Sequence, residues 1–361
     1  MEYLVPEAWF AGRATAVLML VVVVAIVALV KGADLVVDGA SGMAYRLGIS
    51  KIIVGATVVS LGTTSPEAAV SVMAAWSGEP GLALGNAVGS VLADTGLIFG
   101  IACLTTLLPA DRFVLTRQGW VQFGVSALLA LLCYAAWVRA GDDAALGRPV
   151  GLLMLTLLAV YLTLSVRWSR QHPRAEPFQL PDDVTDETLV IGELPRQELG
   201  QPIARLLALV AAGLLVVLFS SRCLVCSASE IAHRWGVPEV VIAATLVAIG
   251  TSLPEFATAM ASIRKKHKEL LVGNVIGADI LNVLFVIGAS ATAAPLPVLE
   301  PAASHPAIFL WLHLPALLII LTLFRVFIHR AVSAGSFSRW MGAPLVAIYV
   351  TYVVLQYAVS L

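Results

Sequence analysis

Gly62-Thr63-Thr64-Ser65-Pro66-Glu67 and Gly250-Thr251-Ser252-Leu253-Pro254-Glu255 are one hexapeptide pattern written twice, at an offset of 188 residues. Moving outward at that offset, 57–100 aligns with 245–288 without a gap. The identities beyond the hexapeptide are Thr57/Thr245, Val59/Val247, Ala69/Ala257, Leu82/Leu270, Gly85/Gly273, Asn86/Asn274, Gly89/Gly277 and Gly100/Gly288. Upstream, the same offset pairs Ala40/Ala228, Ser41/Ser229, Ala44/Ala232, Arg46/Arg234 and Gly48/Gly236. Repetition at a fixed period is a property of the whole architecture. The chain therefore reads as two copies of one unit.

What surrounds the repeats is membrane-like. The 361 residues are 59% hydrophobic and 12% charged, against about 25% charged in an average soluble domain, and the mean hydropathy is +0.92. A soluble globular enzyme is excluded. The net charge of −1 offers no polybasic surface, so a nucleic-acid partner is excluded as well. Windows long enough to span a bilayer fall at 14–32, 51–76, 81–108, 118–139, 149–167, 203–222, 238–262, 269–293, 307–328 and 340–360. The run from Ala14 to Val30 is too long for a signal-peptide core, and no cleavage pattern follows it. The expected fold is an all-α polytopic membrane protein with ten transmembrane helices in two inverted five-helix repeats. Cys103, Cys133, Cys223 and Cys226 lie in apolar stretches; Cys223-x-x-Cys226 has no second pair to complete a zinc site.

Lys and Arg decide orientation. The odd-numbered connections hold 17 of them, from Lys31, Arg46 and Lys51 to Arg325, Arg330 and Arg339, and the other side holds Arg13, Arg139, Arg148, Arg222 and Arg234. The odd connections are expected to be cytoplasmic and both termini outside. The longest polar stretch, 168–202, carries five prolines and the acidic run Asp182-Asp183-Val184-Thr185-Asp186-Glu187. It reads as a cytoplasmic linker between a first repeat, 1–167, and a second, 203–361. Five helices per copy is an odd number, so the second copy enters from the opposite side. Inverted repeats of this kind build secondary transporters, with substrate sites near the midplane.

The paired hexapeptides put a carboxylate at that depth. Proline has no amide hydrogen and clashes with the carbonyl four residues before it, so Pro66 frees the carbonyl of Gly62 and Pro254 that of Gly250. Kinked or unwound segments are expected there, tolerable only where something polar fills the gap. An ionised Glu67 or Glu255 costs at least about 2.5–3.5 kcal/mol in such a place. No Lys or Arg lies in the central part of any of the four repeat helices, which leaves metal ions or protons as partners. The following helices read Gly85-Asn86-x-x-Gly89-Ser90-x-x-x-Asp94 and Gly273-Asn274-x-x-Gly277-Ala278-Asp279-x-x-Asn282. Their glycines have the spacing that lets helices approach closely. Asp94 follows Glu67 by 27 residues, as Asn282 follows Glu255, a spacing that a helical hairpin returns to the same depth. All candidate ligands carry oxygen: Glu67, Glu255, Asp94, Asn282, Thr63, Thr64, Thr251, Ser252 and Ser90. Such a set suits Ca²⁺ and accepts Na⁺; it argues against zinc and copper.

These two blocks resemble the alpha repeats of the calcium/cation antiporter superfamily, and most of all its bacterial sodium/calcium exchangers. The resemblance covers nearly the whole chain. It implies that Glu67 and Glu255 coordinate the central ions, that Thr63, Thr64, Thr251 and Ser252 add hydroxyls or carbonyls, and that Asp94, Asn282 and Ser90 complete the shell. It also implies backbone carbonyls at Ser60 and Ala248 in flanking sodium sites. Two departures stand out. The family pattern has Asn in the first repeat and Asp in the second, which Asp94 and Asn282 reverse. Ala278 lacks the hydroxyl of Ser90, and beside it Asp279 is an extra acid opposite Val91; it reads as a helix-facing group set back from the ions, with direct ion contact as the alternative.

Three ionised carboxylates carry −3. One Ca²⁺ leaves −1 and three Na⁺ neutralise the pocket, so the two ions compete for the same oxygens. The expected function is Na⁺/Ca²⁺ antiport by alternating access, with no prosthetic group, no catalytic role and no obligate protein partner. Because burial disfavours ionised carboxylates, Ca²⁺/H⁺ exchange through the same site is the alternative. A multi-pass protein of a bacterial-type inner membrane follows. The six histidines read as solvated or interfacial, Lys265, Lys266 and Lys268 as topology-setting charge, and Asp34 and Asp38 as hydrated interfacial acids.

Overall fold

The structure is a computed structural model that describes residues 7–76, 80–171, 201–235, 252–299 and 307–360. It is almost wholly helical. After a short helical turn, Glu7–Ala11, come α1 (Thr15–Leu47), α2 (a continuous run from Lys51 to Trp76), α3 (Pro80–Thr105), α4 (Arg112–Ala140) and α5 (Arg148–Gln171). The second half supplies α6 (Ile203–Arg234), α7 (Leu253–Arg264), α8 (Lys268–Ala293), α9 (Phe309–Ala334) and α10 (Gly342–Ser360). Eight helices among the described residues are long and apolar enough to cross a membrane. The other two are α2, whose centre carries Glu67 among Thr, Ser and Gly, and α7, of whose segment nothing before Ser252 is described. The chain is an integral, multi-pass membrane protein.

Two boundaries differ most from those expected of the sequence. The window 14–32 continues as one helix of 33 residues to Leu47, and 203–222 continues to Arg234. Lys31, Asp34 and Asp38 therefore lie on α1 rather than in a connection. Nothing in 31–47 breaks a helix; α1 stops only at Gly48, whose φ of 63° lets its amide bond the carbonyls of Ala44 and Tyr45, a turn only glycine adopts without strain. At 1.5 Å per residue, α1 exceeds a hydrocarbon core of about 30 Å and must tilt or project beyond it.

The internal repeat survives in three dimensions. The equivalent helices α1 and α6 lie antiparallel. Arg46, at the end of α1, donates to Gln201 O before α6 at 2.5 Å; its partner Arg234, at the end of α6, donates to Ala11 O at 2.9 Å and Thr15 Oγ1 at 3.1 Å at the start of α1. Between these ends a Cβ on Gly213 would meet Gly32 O at 2.7 Å, so the backbones touch where two glycines face each other. Four two-residue strands repeat the symmetry: β1 (Leu108–Pro109) pairs with β4 (Ser336–Phe337), and β2 (Ala145–Leu146) with β3 (Leu296–Pro297). Exchanging the halves maps one pair onto the other.

Helices α3 and α8 occupy the centre: 78% and 94% of their most apolar windows are buried, against 17–50% for the other six spans. Lipid supplies no hydrophobic drive between helices, so close contact does the work. A Cβ on Gly273 would sit 2.0 Å from Ile52 O, and one on Gly277 2.5 Å from Ala56 Cα. These two glycines let α8 lie directly on α2. The facing partners that the repeat assigns to Gly85 and Gly89 fall in 236–251, outside the described residues.

Candidate functional site

In α2 the expected break at Gly62–Pro66 is not found: the helix runs through Pro66. It is loosened one turn earlier, where Gly55–Val59 form a π-helical turn. The carbonyl of Ala56 in that turn accepts from the Tyr161 hydroxyl on α5 at 3.4 Å. Around Pro66 the hydroxyls fold back on carbonyls of their own helix, Thr63 on Ser60 at 3.3 Å and Ser65 on Leu61 at 2.5 Å. Such back-bonding competes with the helical ladder. The second copy differs. Here Ser252 is non-helical, with φ −93° and ψ 7°, and α7 starts at Leu253 with Pro254 in its first turn. Glu255 thus sits at a helix N-terminus, where the backbone dipoles favour negative charge. Ala248 and Thr251 lie outside the described residues.

Asp94 and Asn282 occupy matching positions. Each lies at the start of a π-helical segment, Ala93–Phe99 in α3 and Asn282–Ile287 in α8. The segments are exchanged between halves: α2 packs on that of α8, and α7 on that of α3. Glu67 is thereby within electrostatic reach of Glu255 and Asp94, and Asp94 within reach of Glu255. Thr63 of the first copy stands beside the Glu255 carboxylate of the second. A Cβ on Gly277 would meet Ser60 Oγ at 2.6 Å, so that glycine admits α8 to the Ser60 side of the pocket.

Ser60, Thr63, Thr64, Glu67, Ser90, Asp94, Ser252, Glu255 and Asn282 are all buried. Both carboxylate oxygens of Glu67, Asp94 and Glu255 lack a hydrogen-bond partner, as do the Asn282 amide and the hydroxyls of Ser60, Thr64, Ser90 and Ser252. Buried polar atoms are nearly always paired, and an unpaired charge is the costliest exception. This concentration of bare oxygens, drawn from four helices, is what a cation relieves. Among the described residues no three Asp, Glu, His or Cys side chains converge as in a fixed metal centre. An ion held here takes a mixture of carboxylate, hydroxyl, amide and backbone oxygens.

Several polar side chains have partners that the sequence alone does not show. Asp279 is fully buried and accepts from Thr95 Oγ1 and Gln122 Nε2, each at 2.5 Å. Neither donor stands out in the sequence alone, although Gln118, Gln122 and Ser126 recur every four residues in an apolar span and all three are buried. Asp34 and Asp38 are not simply hydrated: they pair with Arg264 and Lys265 at the end of α7. His267 and His313 are buried, against Lys51 at 2.8 Å and Tyr352 at 3.3 Å. Cys103, Cys133, Cys223 and Cys226 form no disulfide among the described residues.

Comparison with known proteins fits this arrangement. A family profile described as "Sodium/calcium exchanger protein" matches residues 17–167 and 205–358. The chain is 35% identical to a putative antiporter, CaxA, of Alkalimonas amylolytica, over 78% of this chain and 82% of that one. It is 36% identical to the inner membrane protein YrbG of Escherichia coli K12, over 76% and 79%. The sodium/calcium exchanger MaX1 of Methanosarcina acetivorans is 27% identical over 94% and 98%. Among solved structures, the sodium-calcium exchanger NCX_Mj soaked with Na⁺ and Sr²⁺ superposes with a TM-score of 0.73 at 23% identity, over 94% of this chain and 99% of that one; that likeness speaks for the fold. With two halves matched by the profile and two long relatives above 30% identity, the chain belongs to the sodium/calcium exchanger family of membrane antiporters.

Proposed function

We propose that this protein exchanges Na⁺ for Ca²⁺ by alternating access, at one pocket built from Glu67, Asp94 and Glu255 with Asn282, Ser60, Thr63, Thr64, Ser90 and Ser252, joined by Thr251 and the Ala248 carbonyl. The observation that carries the reading is the set of buried, partnerless oxygens contributed by both repeats. Those acids repel one another when empty, and a low-dielectric pocket magnifies that repulsion. A closed pocket needs cations, and either one Ca²⁺ or several Na⁺ supply them. Since both use the same oxygens, loading with one excludes the other, and the protein moves between its two open states only when loaded. Sodium influx then drives calcium out.

The partition 1–167, 168–202 and 203–361, with both termini outside and the linker cytoplasmic in a bacterial-type inner membrane, belongs to the same proposal. Its support is the Lys and Arg bias. The test is ⁴⁵Ca²⁺ uptake into proteoliposomes preloaded with Na⁺ or with a non-transported cation, with a pH gradient applied separately. Uptake that needs internal Na⁺ is the expected result. Uptake driven by the pH gradient alone would keep the pocket and make the exchange proton-coupled.

A further inference from the structure

The pocket has a fourth acid that the three-carboxylate reading leaves without a task. Asp279 lies on α8, three residues before Asn282, and is fully buried. Its Oδ2 is held by two neutral donors from the other repeat, Thr95 Oγ1 on α3 and Gln122 Nε2 on α4, each at 2.5 Å. The donors also approach one another, Gln122 Nε2 lying 3.4 Å from Thr95 Oγ1. Two neutral donors fix the carboxylate in place but do not balance its charge. Oδ1 is buried with no partner. Thr95 follows Asp94 in the chain, so the Thr95–Asp279 bond anchors Asp279 at the residue next to Asp94, and Asp94 lies within electrostatic reach of Asp279. Both oxygens of Asp94 are likewise buried and bare. No basic side chain makes an ion pair with either acid among the described residues.

We propose that Asp279 Oδ1, together with Asp94, forms an additional monovalent-cation position, contiguous with the transport pocket and suited to Na⁺. This rests on the sodium-coupled reading above and deepens it. Position 279 faces Val91 in the repeat alignment, so the extra position is asymmetric and belongs to one half only. With Asp279 ionised the connected acids carry −4, and full neutralisation by monovalent ions takes four rather than three. Thr95 and Gln122 are positioning residues: they turn Oδ2 away and leave Oδ1 free for the ion.

The test is equilibrium ²²Na⁺ binding to the purified protein in nanodiscs, counted per polypeptide, beside ⁴⁵Ca²⁺ binding on the same preparation. Asp279→Asn keeps an oxygen for Thr95 and removes the charge. It is expected to bind one Na⁺ fewer than wild type, with an unchanged number of Ca²⁺ sites. Thr95→Val, which leaves the acid in place, is expected to keep the Na⁺ count and weaken the last Na⁺ to bind; it supplies the readout should Asp279→Asn yield no protein. Equal Na⁺ counts and equal Na⁺ isotherms in wild type and variants would overturn the proposal while leaving sodium exchange intact. A wild-type protein whose Ca²⁺ is not displaced by Na⁺ at all would instead overturn the sodium-coupled reading itself.

Discussion

Lys265 Nζ lies 2.5 Å from Asp38 Oδ1, and Arg264 pairs with Asp34 one helical turn away. These two bridges tie the last residues of α7, the helix that carries Glu255, to the middle of α1. Nothing in the sequence alone connects the two segments; the tertiary fold brings a basic turn onto two acids spaced four residues apart on one helix face. The side chains of all four residues keep some solvent exposure, so each pair is worth at most about 1 kcal/mol. The double variant Asp34→Asn, Asp38→Asn is expected to cost no more than about 2 kcal/mol of stability in thermal unfolding. A larger loss would mean that the bridges hold more than the end of α7 against α1.

The buried acids should behave in the opposite sense. Glu67→Gln and Glu255→Gln remove an uncompensated buried charge and are expected to abolish ⁴⁵Ca²⁺ uptake. In ion-free buffer their melting temperatures are expected at or above the wild-type value. A strong loss of stability on neutralisation would show that these carboxylates hold the fold rather than ions.

Ion removal gives a separate readout. A ligand that binds only the folded state stabilises it by about 2.7 kcal/mol at a hundred times its dissociation constant. Saturating Ca²⁺ is expected to raise the melting temperature of the wild-type protein, and chelation to reverse the rise. The shift should vanish in Glu67→Gln and persist in Asp34→Asn. A shift of equal size in Glu67→Gln would place the stabilising Ca²⁺ elsewhere, with the acidic linker the first region to test.

Backbone contact between α2 and α8 makes a steric prediction. A Cβ at Gly273 would stand 2.0 Å from Ile52 O, whereas at Gly124, on the exposed side of α4, it would meet nothing within 4 Å. Gly273→Ala is expected to destabilise by about 1–3 kcal/mol, the usual cost of overpacking. Gly124→Ala is expected to be neutral or slightly stabilising, since alanine is the better helix former. Equal melting temperatures for the two variants would contradict the close packing of α8.

Much of the fold was legible in the sequence because the bilayer imposes a simple rule on it. Spans must be apolar and about 20 residues long, and a duplicated chain repeats its rare residues at a constant offset. Glu67, Glu255, Asp94 and Asn282 stood out for that reason: a polar group at this depth costs too much to recur in both copies without an ion or a proton to bind. Helix ends were less legible. Nothing in 31–47 stops a helix, so α1 continues beyond the apolar window to Gly48.

The loosened turns were not legible either. Pro66 promised a break, yet α2 runs through it and widens instead at the π-helical turn Gly55–Val59, which packs against α8 and accepts a hydrogen bond from Tyr161 of α5. By itself, then, the sequence determined a duplicated, membrane-spanning, oxygen-lined pocket, because composition, depth and repetition are properties of the chain alone. Only the tertiary structure decided the partners: Asp279 with Thr95 and Gln122, Asp38 with Lys265, Arg46 and Arg234 at opposite ends of one helix pair. Those contacts join residues far apart in sequence, and their geometry exists only once the two halves have closed on each other.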